Sequence, residues 1–200
     1  MFNLFLKGGP VMWPMLITSM ITLTVVIERF LFLWREHCLK DPQIVQKILT
    51  EVEAGRMEEA IRTGEKSQDC VAEILTYGLR HRQTSLTNAL LHAANSELKR
   101  HAQGLPILDT VITLAPLMGL LGTVTGMIYA FGLLGNKELE APTVITGGIA
   151  QALIATACGL AIAIIALIPF NYLNAQLEAF RHEIEDITTH LELLLKGKNS

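Results

Sequence analysis

Charged residues are scarce in this sequence. They make up 18% of its 200 residues, whereas hydrophobic residues make up 50%. An ordinary soluble domain carries about 25% charged residues. The apolar residues are gathered into a few long runs, so part of the chain is expected to lie in lipid, and membrane spans are its natural units.

Basic clusters and recognisable chemical motifs are also missing. The formal net charge is −3, and nucleic acid needs a basic surface, so that class of partner is excluded. Cys38, Cys70 and Cys158 have no CxxC spacing, which argues against a disulfide framework and a zinc site. The histidines are scattered, no glycine-rich loop follows a strand, and no hydrolase triad order is present. The sequence therefore predicts no catalytic residue, no metal site and no cofactor, and indicates a protein that is not an enzyme.

Three apolar runs are each long enough to cross a bilayer as a helix, which takes about 20 residues. The first ends near Trp34, the second covers residues 105–134 and the third covers residues 144–172. A cleaved signal peptide is the alternative for the first run, because Lys7 could serve as its charged start. The run is too long for such a peptide and no A-x-A-like site follows it, which favours a retained span within residues 1–34.

The distribution of cations predicts the orientation of the chain. Most lie in residues 35–104, whereas the N-terminal segment and the loop 135–143 contribute only Lys7 and Lys137. By the positive-inside rule, residues 35–104 and the C-terminal residues 173–200 are cytoplasmic, and the N-terminus and the short loop are periplasmic.

The cytoplasmic segments have helical patterns. Residues 35–104 show apolar positions at helical spacing, punctuated by Gly55, Gly64 and Gly78, which predicts a small helical domain. After the third span, apolar residues recur at steps of four and three, which predicts a continuing helix that packs on partner helices; they are Leu173, Leu177, Phe180, Ile184, Ile187, Leu191 and Leu194. The predicted fold class is an all-α membrane protein with three transmembrane helices and a helical cytoplasmic domain, the second and third spans extending into the cytoplasm.

Small residues line one face of the second span and one face of the third. Such stripes let membrane helices approach closely. The residues are Ala115, Gly119, Gly122 and Gly126 in the second span, and Gly148, Ala152, Gly159 and Ala163 in the third. They are predicted to pack on the face of a pore, and the alternative is that they only pack the two helices together.

Three polar side chains, Thr123, Thr156 and Gln151, lie on or beside these stripes. A threonine in a membrane helix usually bonds a carbonyl of its own helix, whereas a glutamine has no such local partner. Polar groups at this depth often mark an ion path. The only charged residue of the two spans is Asp109, near one end of the second, so a proton path would need a partner that brings a titrating group.

Two motifs resemble those of the ExbB, TolQ and MotA family of proton channels. Residues 115–127, Ala-Pro-Leu-Met-Gly-Leu-Leu-Gly-Thr-Val-Thr-Gly-Met, resemble its second-span signature, and residues 148–160, Gly-Ile-Ala-Gln-Ala-Leu-Ile-Ala-Thr-Ala-Cys-Gly-Leu, resemble its third-span signature. The Gly-Gly-Pro start at Gly8, the Glu28 and Arg29 pair, and the Gly-Leu-Pro entry at Gly104 are also like the family. The resemblance covers nearly the whole chain and is closest to the ExbB and TolQ type.

This resemblance implies a homopentamer in the bacterial inner membrane, in contact with membrane lipids. Its second and third spans would line a pore that holds two single-span ExbD- or TolR-like subunits, whose intramembrane aspartate carries the proton. Thr123 and Thr156 match the threonines that face this aspartate. Gln151 stands where many members have glutamate, which removes a proton donor and leaves a hydrogen-bonding role.

The implied function is a channel-forming subunit that uses the proton motive force to energise transport across, or maintenance of, the outer membrane through a TonB- or TolA-like protein. One alternative is a stator of a flagellar or gliding motor. Another is a membrane scaffold that conducts nothing and whose small-residue stripes only pack helices.

Overall fold

The computed structural model describes residues 8–132 and 141–197. These residues form helices and contain no strand, which confirms the all-α prediction. The helices are α1 (Met12–Leu39), α2 (Pro42–Glu53), α3 (Met57–Glu65), α4 (Cys70–Arg80), α5 (Arg82–His101), α6 (Leu105–Gly132) and α7 (Ala141–Gly197).

Three helices within the described ranges are long and apolar enough to cross a membrane: α1, α6 and the stretch Thr146–Leu195 of α7. This confirms the predicted number of spans. The predicted loop 135–143 falls mainly on residues outside the described ranges, and α7 already begins at Ala141. Pro169 lies inside α7 without ending it, so the third span continues directly into the C-terminal helix.

The chain divides into two compact units. One, the membrane unit, contains the described residues up to Arg29 together with Gly104–Leu173. The other, the polar unit, contains Phe30–Gln103 and the described residues from Asn174 onwards. Both α1 and α7 contribute residues to both units.

The polar unit is built on helices α2 to α5 and the C-terminal part of α7. Its core consists of apolar side chains that are almost fully buried, including Ile48, Ile74, Leu75, Leu79 and Leu191. Ile184 and Leu191 of α7 belong to this core, with Phe180, Ile187 and Leu194 packed against it. The C-terminal heptad pattern, predicted to pack on partner helices, therefore packs on helices of its own chain.

The three glycines predicted to punctuate the helices of the polar unit each lie at or near the end of a helix. Gly55 does lie in a turn, between α2 and α3, at a φ of 81°. Gly64 and Gly78 lie within α3 and α4, where a Cβ would collide with the side chains of Thr76 and Leu90 respectively. Since α3 ends one residue after Gly64 and α4 ends two residues after Gly78, the predicted breaks are confirmed to within two residues. The missing side chains of these two glycines also permit close helix packing.

Candidate functional site

The stripes of small residues on α6 and α7 face each other within one chain. A Cβ on Gly119 would lie 3.0 Å from the Cα of Thr156, and one on Gly159 would lie 2.5 Å from the carbonyl oxygen of Ala115. Both neighbours are backbone atoms, which cannot move aside as a flexible side chain can. Main chain therefore packs on main chain here, the close approach that small residues permit between membrane helices.

The same contact continues along the whole stripe. Gly122 lies against Ala155, and a Cβ on Gly126 would lie 3.2 Å from the carbonyl oxygen of Gly148. The stripe alanines, Ala115, Ala152 and Ala163, are buried. The structure thus brings together all eight small residues singled out in the sequence, in a contact between two helices of one chain. Their role on the face of a pore stays a prediction.

The start of α1 covers one side of this helix pair. Val11, Met12 and Met15 are buried together with Ala155 of α7, and Met118 of α6 and Cys158 and Ile162 of α7 pack against them. This side of the pair is therefore occupied by the chain itself.

Thr123 and Thr156 lie on the opposite side of the pair. An α-helix turns by about 100° per residue, which places Thr123 about 140° from Met118 on α6 and Thr156 about 160° from Cys158 on α7. Both threonines are half-buried. Thr123 is one helical turn, about 6 Å, beyond Gly119, which contacts Thr156. The structure therefore places the two predicted threonines close to each other on the side that α1 leaves open.

The hydroxyl hydrogens of both threonines are already engaged. Thr156 Oγ1 donates across the helix pair to the carbonyl oxygen of Gly119 at 3.2 Å, and the carbonyl oxygen of Ala152 lies at 3.3 Å. Thr123 Oγ1 donates to the carbonyl oxygen of Leu120 at 2.6 Å. A hydroxyl has one hydrogen and two lone pairs. In this arrangement both oxygens can still accept a hydrogen bond, from a water or from a protonated carboxyl group.

Thr123 also lines an open cleft on α6. The cleft measures about 560 Å³, and its other lining residues are apolar: Val124, Met127, Ile128 and Phe131. The threonine hydroxyl is thus the one polar side-chain group in this lining. Such a surface suits an apolar helix that carries a single polar group.

Gln151 lies apart from the two threonines. Its carboxamide packs against the backbone of Gly9, where a Cβ would lie 2.8 Å from Gln151 Cδ. Gly9 has a φ of 77°, a left-handed conformation that glycine adopts readily. On α7, Gln151 is about 140° from Thr156 and so on the shoulder occupied by the start of α1. The structure does not bring this third predicted residue together with the other two.

One feature of the site was missed from the sequence, the hydrogen bond from Thr156 to the Gly119 carbonyl. It depends on the register of two antiparallel helices. The spacing of the small residues indicates which faces meet, and matching Gly119 with Gly159 along that face would have placed Thr156 beside the Gly119 carbonyl.

Known proteins resemble the chain over most of its length. The sequence signature of the MotA/TolQ/ExbB proton channel family matches residues 66–186. An ExbB-like 1 biopolymer transport protein of Synechocystis is 35% identical over 96% of this chain and 78% of its own length. An ExbB homolog of Methanothermobacter thermautotrophicus is 28% identical over 98% of this chain and 68% of its own. The Tol-Pal system protein TolQ of Haemophilus influenzae is 36% identical over 53% of this chain and 48% of its own.

The family signature spans both small-residue stripes and both threonines, and it describes channel subunits rather than enzymes. The relatives are named for ExbB and TolQ. With three helices able to cross a membrane, the chain is a multi-pass membrane protein that belongs to the MotA/TolQ/ExbB proton channel family and is of the ExbB and TolQ type.

Proposed function

We propose that this chain is the channel-forming subunit of a proton-driven motor of the inner membrane. In this proposal it assembles as a homopentamer around single-span ExbD- or TolR-like subunits and passes work to a TonB- or TolA-like protein. Residues 35–104 and the C-terminus are cytoplasmic, and the N-terminus is periplasmic. The observation that carries the proposal is the position of Thr123 and Thr156, close together on the side of the helix pair that α1 leaves open.

The described parts of α6 and α7 in the membrane unit supply no charge in the middle of either span. Within the described parts of α6 and α7 that belong to the membrane unit, Asp109 is the only charged residue, and it is exposed near the start of α6. The proton must therefore travel on a carboxyl group of the inserted partner. The membrane potential supplies about 2.3 kcal/mol per charge per 100 mV to drive it.

The threonines favour one of the two states of that carboxyl group. Because both hydroxyls donate to backbone carbonyls, their oxygens are oriented to accept a hydrogen bond from the protonated acid. Bonding a carboxylate instead requires a hydroxyl to give up its present bond. A net hydrogen bond contributes about 1 kcal/mol, so this exchange is cheap enough to occur in each cycle.

Threonine-to-valine variants test the proposal, because valine keeps the shape and removes the hydroxyl. Thr123→Val and Thr156→Val, expressed with the single-span partner, should assemble as the parent does and lose proton-driven activity. The measurements are the size of the purified complex and proton flux in liposomes under an imposed potential. Wild-type flux in both variants would refute the proposed contact.

Thr125→Val is the matched control. Thr125 Oγ1 also donates within α6, to the carbonyl oxygen of Leu121 at 2.9 Å, but its position lies on the side covered by the start of α1. Its variant should conduct normally. Gln151→Ala should reduce flux only partly, because Gln151 packs on Gly9 and an amide does not cycle a proton at neutral pH.

One observation favours a second candidate function, a membrane scaffold that conducts nothing. The hydrogen bond from Thr156 to the Gly119 carbonyl links the two helices. The same variants separate the two functions. For a scaffold, Thr156→Val should weaken assembly and Thr123→Val should have no effect. For a channel, both should assemble and neither should conduct.

A further inference from the structure

A cleft in the polar unit combines two cations with an apolar floor. It lies between α5 and α7 and has a volume of about 330 Å³. The polar residues that line it are Asn95, Lys99, Arg181 and Glu185. The apolar ones are Leu98, Ala102 and Leu177. Neither the proton path nor the small-residue stripes use any of these residues.

The cations of the cleft are weakly neutralised. Within the described residues, Lys99 has no carboxylate within 4.0 Å, the limit for an ion pair. Arg181 Nε lies 3.9 Å from Glu178 Oε2, a long and exposed pair that contributes little. Glu185, the acidic residue of the lining, has its Oε2 3.8 Å from His182 Nδ1. Two positive side chains therefore face a cleft with one carboxylate, which favours an anion.

The cleft lies close along the chain to the ends of two spans. Lys99 precedes the start of α6 at Leu105 by six residues, and Leu177 follows Tyr172 by five, about 8 Å of helix. Tyr172 is 49% exposed and lies at the end of the apolar run 144–172. Tyrosines are enriched at the membrane interface. Side chains on a helix lean towards its N-terminus, which on α7 is the end that carries the third span.

We propose that this cleft binds the phosphate of an anionic phospholipid at the membrane interface. Lys99 and Arg181 bind the headgroup phosphate, Asn95 offers an amide donor, and Leu98, Ala102 and Leu177 contact the glycerol end of the acyl chains. Basic pockets beside membrane helices bind anionic headgroups through this combination. The lipid, rather than free phosphate, is the occupant because the apolar floor and the nearby span ends both favour a ligand with acyl chains.

Lipid titration of the purified full-length protein tests the site. Phosphatidylglycerol is added to delipidated protein in detergent, and bound lipid is counted by native mass spectrometry. Lys99→Gln and Arg181→Gln should each weaken binding by about fivefold, since a basic residue near an anionic lipid surface contributes about that factor. Glu185→Gln should tighten binding, a gain that misfolding cannot produce.

The control removes two positive charges elsewhere in the polar unit, one more than each cleft variant removes. Arg62 and Lys66 are exposed on and just after α3, and the double variant Arg62→Gln with Lys66→Gln should bind phosphatidylglycerol as the parent does. Equal weakening by this control, or unchanged binding by both cleft variants, would overturn the site. The lipid would be the wrong occupant if the binding of inorganic phosphate depended on Lys99 and Arg181 while the binding of phosphatidylglycerol did not.

Discussion

At the scale of single residues, Cys70 shows how a thiol is kept protonated. Its Sγ donates to Glu36 Oε2 at 2.8 Å, and Glu36 Oε1 accepts from Arg100 Nη2 at 2.8 Å. Burial first, and then the hydrogen bond and charge of Glu36, raise the pKa of Cys70 well above its ordinary range. The thiolate is the reactive form of cysteine, so this residue is inert despite partial exposure.

Alkylation should therefore distinguish two cysteines of the polar unit. In chains that retain only one cysteine, Cys38, which is exposed, should react with N-ethylmaleimide at pH 8 at least about tenfold faster than Cys70, because a raised pKa lowers the thiolate fraction tenfold per unit. Glu36→Gln should accelerate the reaction of Cys70. Equal rates for the two cysteines in the folded parent would contradict this account.

The same shift predicts how stability depends on pH. The folded state holds the Cys70 proton more tightly than the unfolded state, whose thiol has a pKa of about 8.5. The contribution of this thiol to the free energy of unfolding is therefore complete below that pH and falls as the pH rises above it. Chemical unfolding of the parent and of Cys70→Ala, measured between neutral pH and pH 10, should show a steeper loss of stability in the parent. Parallel curves would show that the shift is absent.

At the scale of helices, Asp69 joins two helix starts. Its Oδ1 accepts from the backbone N–H groups of Val71 at 2.8 Å and Ala72 at 3.0 Å, which caps α4. Its Oδ2 accepts from the backbone N–H of Asp41 at 2.8 Å, immediately before α2. Asp69 is 3% exposed, so these bonds are shielded from water. They take the place of the hydrogen bonds that water would make with these backbone N–H groups.

Removing this carboxylate should lower the stability of the protein more than removing an ordinary helix cap does. Asp69→Ala should lower the free energy of unfolding by about 2–4 kcal/mol, since it removes a helix cap and leaves buried N–H groups without an acceptor. Asp41→Ala, which removes only the cap of α2, should cost about 1 kcal/mol. Thermal or denaturant unfolding followed by circular dichroism measures both. Equal losses of stability in the two variants would mean that the link between the two helix starts does not stabilise the protein.

The α6 and α7 contact gives a second prediction at this scale. Gly122→Leu and Gly159→Leu should prevent assembly rather than merely slow transport, because each side chain would hold apart backbones that now touch. Gly147→Leu is the control, since a Cβ there meets nothing within 4 Å. Size-exclusion chromatography of the purified variants measures the outcome. Normal oligomer yield from the first two would show that the stripes do not support the structure.

At the scale of the whole molecule, the orientation of the chain in the membrane is open to direct test. The cations of residues 35–104 predict, by the positive-inside rule, that this segment is cytoplasmic. In a cysteine-free background, Lys66→Cys should resist a membrane-impermeant maleimide added to intact spheroplasts, whereas Gly135→Cys, between α6 and α7, should react. Permeabilised cells should label both. Labelling of Lys66→Cys in intact spheroplasts would reverse the topology.

Hydropathy was sufficient to predict the three spans, and residue spacing was sufficient to predict the small-residue stripes of α6 and α7 with the two threonines beside them. The contact of the two stripes with each other was the alternative to the predicted position on the face of a pore. These features depend on local properties of the chain. An apolar run must be long enough to cross lipid, and small residues at helical spacing form one face wherever the helix packs. The family followed from the same two motifs.

Only the tertiary structure shows which segments of the chain cover the other faces of these helices. Gln151 and Thr156 flank the same stripe in the sequence, yet the start of α1 packs on the shoulder of Gln151 and leaves that of Thr156 open. Gly64 lies one residue before the end of α3, as its sequence predicts, but only the structure shows that it also packs against Thr76. Periodicity defines faces of a helix but not their neighbours, because the neighbours come from segments distant in the chain.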